Sequence, residues 1–289
     1  MLNHATSTLP RDLSRLAIHT ITTKPWSLEE ACGEYASRGI PGISVWTEAI
    51  ENRSASDVRR VIDSAGLKVP ALVRGGFFCD ESKVQRQLKI ERNCRLLETA
   101  AEIGAEMMVL VVGAVAGVPL RTQRDWVRHA IEQLARYAEQ SAVQLAIEPL
   151  HPMYAGDRSC VTSLRQARNI CEQINHPAVG VAVDVYHVWW DEDLKSEIDL
   201  IGARKELFAF HLCDWRCPTR DLLNDRALMG DGCIDLAGIR QSVHEAGFDG
   251  WEEIEIFSND HWASDQSQFV DQIIDRYRSL LATSVTNPA

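Results

Sequence analysis

The chain has 289 residues and a net charge of −11, with 45 % hydrophobic and 25 % charged residues, which is ordinary for a soluble globular protein. An acidic balance with no long Lys/Arg run argues against a nucleic-acid partner, and no apolar run approaches the ~18 residues of a membrane span. The eight cysteines include no CxxC pair, and a chain this long needs no disulfide scaffold. The N-terminal stretch MLNHATSTLPRDLSRLAIHT lacks the apolar core of a secretory signal, so a cytoplasmic protein is expected.

In chain order, eight short apolar or β-branched runs read as strands: 16–20, 42–46, 68–73, 106–112, 143–148, 179–185, 207–212 and 251–257. Helical patterns fill the gaps. The segment 27–39 opens on Ser27 with Glu30 three residues later, a capping box. The segment 54–66 ends on Gly66, suited to a left-handed helix end. Apolar residues at helical spacing also mark 81–103, 122–140, 163–174, 235–246 and 266–281, with a weaker pattern at 192–204.

Strand starts lie roughly 25 to 45 residues apart, about a strand, a helix and two loops. Eight such units predict an α/β protein, a (β/α)8 TIM barrel. A doubly wound sheet would bring a Gly-rich loop after its first strand, whereas here that strand leads into HTITTKP, which has no glycine. No linker or low-complexity tract divides the chain, so residues 1–289 are expected to form a single barrel domain.

In such barrels the active site lies at the C-terminal ends of the strands. The loops leaving those ends are long and polar, above all CDWRCPTRDLLNDRALMGDGC after strand seven. The opposite loops (SRGIPG, AGLKVP, AGFDG) are short. Four strand ends carry metal-binding side chains: Glu148 after QLAI, Asp184 within VAVDVYH, His211 in FAFHLCD and Glu255 in IEIFS. Acidic groups in such places are costly unless something offsets their charge, and a divalent cation is the simplest partner. Three carboxylates and one imidazole suit Mn2+ best, with Mg2+, Co2+ or Zn2+ as alternatives. Strand period two puts Glu253 and Glu255 on one face and Glu252 on the other. The role of Glu253, two residues deeper, stays open between supporting the site from inside and pairing with an internal cation.

A cation so held would leave room for two vicinal sugar oxygens and act as a Lewis acid, while a neighbouring carboxylate moves a proton at the adjacent carbon. Further candidates for touching substrate are His19, Trp46 and Arg74 at the ends of strands one to three. His151, Arg158, Trp189 and Trp190 lie on loops five and six, where tryptophans can stack on sugar faces. Arg74, Arg158, Arg216 and Arg226 are candidate partners for an acidic group on the substrate, and Asp214 and Asp231 are candidates for orienting ligands.

The set IEPLH, VDVYH, FHLCD and GFDGWEEIEIF, in this order, resembles the sugar isomerase/epimerase group of the xylose-isomerase-like TIM barrels. The resemblance covers most of the chain and is densest from 143 to 258. It implies that Glu148, Asp184, His211 and Glu255 are the metal ligands and that Glu148 and Glu255 are also the catalytic acid/base pair. It further implies that His187 holds a substrate oxygen, and that the protein is a homodimer or homotetramer. Two positions depart from the ketose 3-epimerases. The second Glu, six residues after the first metal-binding one, is replaced by Tyr154. The Arg six residues after the ligand His is replaced by Cys217, with Arg216 at five. Both touch substrate positions rather than ligands.

The expectation is a metal-dependent isomerase or epimerase acting on a small sugar or keto-polyol. The alternative is a dehydratase or β-eliminating lyase on a keto-sugar, including cleavage of a 3-keto-glycoside. A nuclease of the endonuclease IV type would need a basic face that the charge balance does not offer, and a non-catalytic sugar-binding barrel would not need the full ligand set.

Overall fold

A computed structural model describes residues 12–283; residues 1–11, which begin the stretch inspected for a signal, lie outside the described residues. Seven strands, β1 (Leu16–His19), β2 (Gly42–Trp46), β3 (Val69–Gly76), β4 (Ala105–Val111), β5 (Gln144–Ile147), β6 (Val179–Asp184) and β7 (Leu207–Leu212), precede a small antiparallel pair, β8 (Asp214–Trp215) and β9 (Arg226–Ala227). The last strand, β10 (Glu252–Ile254), pairs with both β7 and β1 and closes an eight-stranded parallel barrel. The helices are α1 (Leu28–Ser37), α2 (Ala55–Ala65), α3 (Lys83–Ile103), α4 (Leu120–Ser141), α5 (Leu164–Ile174), α6 (Val185–Val188), α7 (Leu194–Ala203), α8 (Leu236–Glu245), α9 (Asn259–Trp262) and α10 (Gln266–Thr283). The predicted barrel is thus the observed one, and even the weak pattern at 192–204 is a helix.

Local chemistry explains the element ends. Ser27 and Glu30 form the predicted reciprocal capping box at α1. Gly66 and Gly104 end α2 and α3 at φ of 72° and 79°, in the left-handed region where a Cβ is strained. The predicted strand 251–257 is longer than β10. Glu255 N still bonds to Leu212 O, but Ile256 N turns to the Thr22 hydroxyl at 3.0 Å and leaves the ladder. β3 runs longer than predicted because Gly75 and Gly76 continue pairing with β4 after a register shift.

The inner face of the barrel is layered. Ala71, Ala146, Ala182 and Ala209 are fully buried and pack with Met107, Val73 and Val109. Two residues further along their strands come Glu148, Asp184 and His211, so the period of two sets polar groups on a floor of methyl groups.

Glu252 points the other way, to α8. Its carboxylate accepts two bonds from Arg240 Nε, at 3.0 and 2.8 Å, and one from Arg240 Nη2 at 2.8 Å. It also lies 2.7 Å from His244 Nε2. Burial would raise the Glu252 pKa, but these bonds outweigh it and hold it below the usual carboxylate range. Glu252→Gln removes the carboxylate charge that Arg240 and His244 contact and is expected to cost about 3–5 kcal/mol in urea unfolding. Because the folded-state pKa is depressed, this stabilisation is complete above the unfolded carboxylate value and is lost as pH falls through the folded one. The gap between wild type and variant therefore narrows below about pH 4; a gap independent of pH down to 2 would contradict the ion pair.

Candidate metal centre and pocket

Glu148 follows β5, Asp184 ends β6, His211 is the penultimate residue of β7 and Glu255 follows β10. All four are buried, and one donor atom from each lies within 4.8 Å of the others. Asp184 and His211 are register partners across β6 and β7. His211 Nδ1 sits 3.1 Å from Glu148 Oε1 and 3.9 Å from Glu255 Oε2. The structure brings all four predicted ligands together.

Their electrostatics are those of crowded, buried carboxylates beside one imidazole. Burial pushes the Asp184 carboxyl up to about 7; Glu255 and Glu148 push the same way, against Arg226. Burial disfavours the His211 imidazolium, yet Glu148, Glu253 and Glu255 overcome it and hold the ring up to about 10. Among the described groups, the carboxylates draw positive charge from the His211 and His19 rings and borrow a guanidinium. Three carboxylates and one imidazole nitrogen are a donor set for a hard to borderline divalent cation, so the residues present fit such an ion.

The borrowed guanidinium belongs to Arg226 on β9. Its Nη1 lies 2.9 Å from Asp184 Oδ2 and 2.9 Å from Glu255 Oε2, and donates to Glu255 O at 3.1 Å. Burial alone would raise the Glu255 pKa, but Arg226 and His19 hold it well below the usual range. Arg226 Nη2 reaches His187 Nε2 at 3.3 Å, while the His151 backbone N–H donates to His187 Nδ1 at 3.2 Å. Burial, with Arg226 adding to it, keeps the His187 pKa well below its ordinary value. A neutral imidazole accepts on one nitrogen only, so one of these two contacts goes unmade.

Above the four residues opens a cavity of about 280 Å3. Glu148, Glu255, His187 and Arg226 form its floor and wall, and Trp46, Arg74, Tyr154 and Arg158 line the rest. The Arg74 guanidinium lies over the Trp46 and Phe77 rings and 3.2 Å from Glu48, and Arg158 lies over the Tyr154 ring. Tyr154, in place of the family's second Glu, donates its hydroxyl proton to the Leu222 carbonyl, as does Tyr186 at 3.1 Å. These bonds tie the 213–233 segment down over the pocket.

Five predicted substrate residues do not line this cavity; one of them, Trp189, packs against Trp215 with ring centroids 5.5 Å apart. His19 is fully buried beneath the cavity, between Glu253 and Glu255. Arg216 points away and pairs with Asp225 at 2.8 Å and Asp260 at 3.6 Å. His151 and Trp190 meet edge to face, ring centroids 5.8 Å apart, with the Trp190 indole bonded to His187 O. Asp231 is spent on Arg276. Asp214 accepts from the backbone of Gly230, Gly232 and Ile234 and shapes the loop rather than the ligands. Of the four candidate arginines, Arg74, Arg158 and Arg226 line the cavity. Arg226 comes fifteen residues after His211 and is brought back over the donors by the pairing of Asp214–Trp215 with Arg226–Ala227.

With the geometry in view, the comparisons with known proteins are informative. The xylose isomerase-like TIM barrel family matches residues 34–273. The chain belongs to that family. A protein of solved structure from Sinorhizobium meliloti 1021 is 41 % identical, with a TM-score of 0.90 over 93 % of this chain and 99 % of its own. An inosose isomerase of Bacillus velezensis is 24 % identical over 74 % of this chain and 76 % of its own. A 3-dehydroshikimate dehydratase of Pseudomonas putida is 25 % identical over 88 % of this chain, a match spanning 39 % of that larger protein. The chain is an enzyme of this family. Among the described residues no helix is long and apolar enough to cross a membrane.

If the four donors act as one cation site, purified wild type carries about one divalent ion per chain by elemental analysis. His211→Ala, which removes the one nitrogen donor, is expected to lose it. Equal metal content in wild type and variant would remove His211 from the site.

Proposed function

We propose that the protein is a divalent-metal-dependent isomerase or epimerase acting on a small keto-sugar or keto-polyol. The observation that carries this reading is the convergence of Glu148, Asp184, His211 and Glu255 directly under a cavity of about 280 Å3. That volume lies at the small end of ligand pockets and suits a single small molecule. The inosose isomerase relative supports a cyclic keto-polyol or similar sugar as substrate.

Glu148, Asp184, His211 and Glu255 would hold the ion, with Mn2+ the favoured identity from the oxygen-rich donor set. When bound, it would supply Lewis-acid stabilisation of negative charge on two neighbouring substrate oxygens. The chain's own groups do the remainder. Glu148 and Glu255 both line the cavity and take and return a proton at the carbon next to the carbonyl. His187, kept neutral by burial and Arg226, offers a hydrogen bond to a hydroxyl. Arg226 faces the same volume and balances charge that develops there. Trp46 and Phe257, in edge contact at 5.1 Å, give the sugar an apolar wall.

A second reading, elimination of water or another β-leaving group from a keto-acid sugar, draws on Arg74 and Arg158, two cations lining the cavity, and on the dehydratase relative. Incubation of the Mn2+-loaded protein with a panel of ketoses and keto-inositols in D2O separates the two. Deuterium entering a carbon next to the carbonyl, with the skeleton retained, is the outcome expected. A new conjugated chromophore supports elimination instead, and neither outcome from any member of the panel counts against both. Glu255→Gln is expected to lower kcat by about 10²–10⁴-fold, the contribution of a general acid–base group.

A further inference from the structure

Two fully buried polar atoms at the centre of the barrel have no hydrogen-bond partner among the described residues, and they face each other. They are His211 Nε2 and Glu253 Oε1, 3.9 Å apart. Their residues are register partners on β7 and β10; His211 is one of the four candidate ligands, and Glu253 lies two residues before another, Glu255. The other nitrogen of His211, Nδ1, is the one turned to Glu148 and Glu255. A ring that offers Nδ1 to a cation carries its proton on Nε2, and Glu253 Oε1 is the acceptor in line for it.

Glu253 is itself anchored through its other oxygen. Oε2 accepts from the Ser44 hydroxyl and lies 3.1 Å from His19 Nε2. His19 continues the chain: its Nδ1, when protonated, faces Glu255 Oε1 at 3.1 Å, and the contact with the Trp46 indole N–H at 3.0 Å then goes unmade. Ser44 and His19 are register partners on β2 and β1, so four strands contribute to one buried network. Beneath it lie the alanine methyl groups and their apolar neighbours.

We propose that Glu253 is a positioning residue of the metal centre: its carboxylate accepts the Nε2 proton of His211, which fixes the tautomer that presents Nδ1 upward, and through His19 it steadies the Oε1 side of Glu255. This inference rests on the metal-dependent reading of the site. Carboxylates behind a ligating histidine orient the ring and raise its basicity, and their loss typically weakens metal binding by about 10–100-fold. A shift of about 1 Å in either side chain brings the pair to the length of a charge-assisted hydrogen bond.

The test uses Co2+, which reports its own coordination in the visible spectrum. Glu253→Gln keeps the side chain's size but not its charge. It is expected to bind Co2+ about 10–100-fold more weakly by calorimetry and to show a shifted ligand-field band with an unchanged far-UV circular dichroism spectrum. Glu253→Asp, which restores the charge, is expected to recover part of the affinity. Should Glu253→Gln fail to fold, Ser44→Ala carries the test. It removes one anchor of the carboxylate and is expected to weaken Co2+ binding and shift the band in the same direction. Wild-type affinity with an unshifted band in the folded variants overturns the inference while leaving the metal site intact. A wild-type protein that binds no Co2+, Mn2+ or Zn2+ overturns the metal reading itself and this inference with it.

Discussion

Like charge forced together inside a barrel is the constraint around which this molecule is arranged. Glu148, Asp184 and Glu255 arrive from β5, β6 and β10 at one buried point, with one donor atom of each inside a 4.8 Å circle. Two unit charges about 4 Å apart repel by about 4 kcal/mol at an effective dielectric of 20. Three such pairs would rival the whole 5–15 kcal/mol stability of a typical domain. The chain meets this with cationic or protonated neighbours: Arg226 from above, His211 among the carboxylates and His19 from below. Each is buried, so none is screened by water.

The fold makes such a cluster tolerable by separating its tasks. The outer faces of the strands and the helices hold the structure, with the Glu252–Arg240–His244 group as a polar tie on that side. The inner face is divided into an apolar layer of alanines and a polar layer above it, and the loops leaving the strands enclose the pocket. Loop residues such as Tyr154 shape what enters the pocket, whereas Arg226 of the 213–233 segment also touches the donors Asp184 and Glu255.

Much of this was legible in the sequence, for identifiable reasons. A parallel barrel buries its strands on both faces, so each strand is an apolar run, and a charged residue inside one stands out. Asp184 in VGVAVDVYH and His211 in LFAFHL were conspicuous for that reason, and the period of two separated Glu253 and Glu255 from Glu252. Arg226 was named among four candidate arginines, but its place over Asp184 and Glu255 was not legible. That place depends on the closure of β8 on β9, a two-residue pairing with no apolar signature, and counting from His211 drew attention to Arg216. His19 was read as a substrate candidate because it ends β1. The inward tilt that sets it under the mouth, between two glutamates of β10 and its flank, comes from the closure of the barrel between β1 and β10, a contact between the two ends of the chain.

Arg226 belongs to the segment that covers the pocket, yet its guanidinium rests on two of the four carboxylates that would hold a cation. Cation and arginine therefore draw on the same oxygens, and by reciprocity whatever strengthens one contact loosens the other to the same degree. The covering segment and the floor of the barrel are in this sense a single balance, with Leu222 and its two tyrosine bonds on one side and the charge at Asp184 and Glu255 on the other.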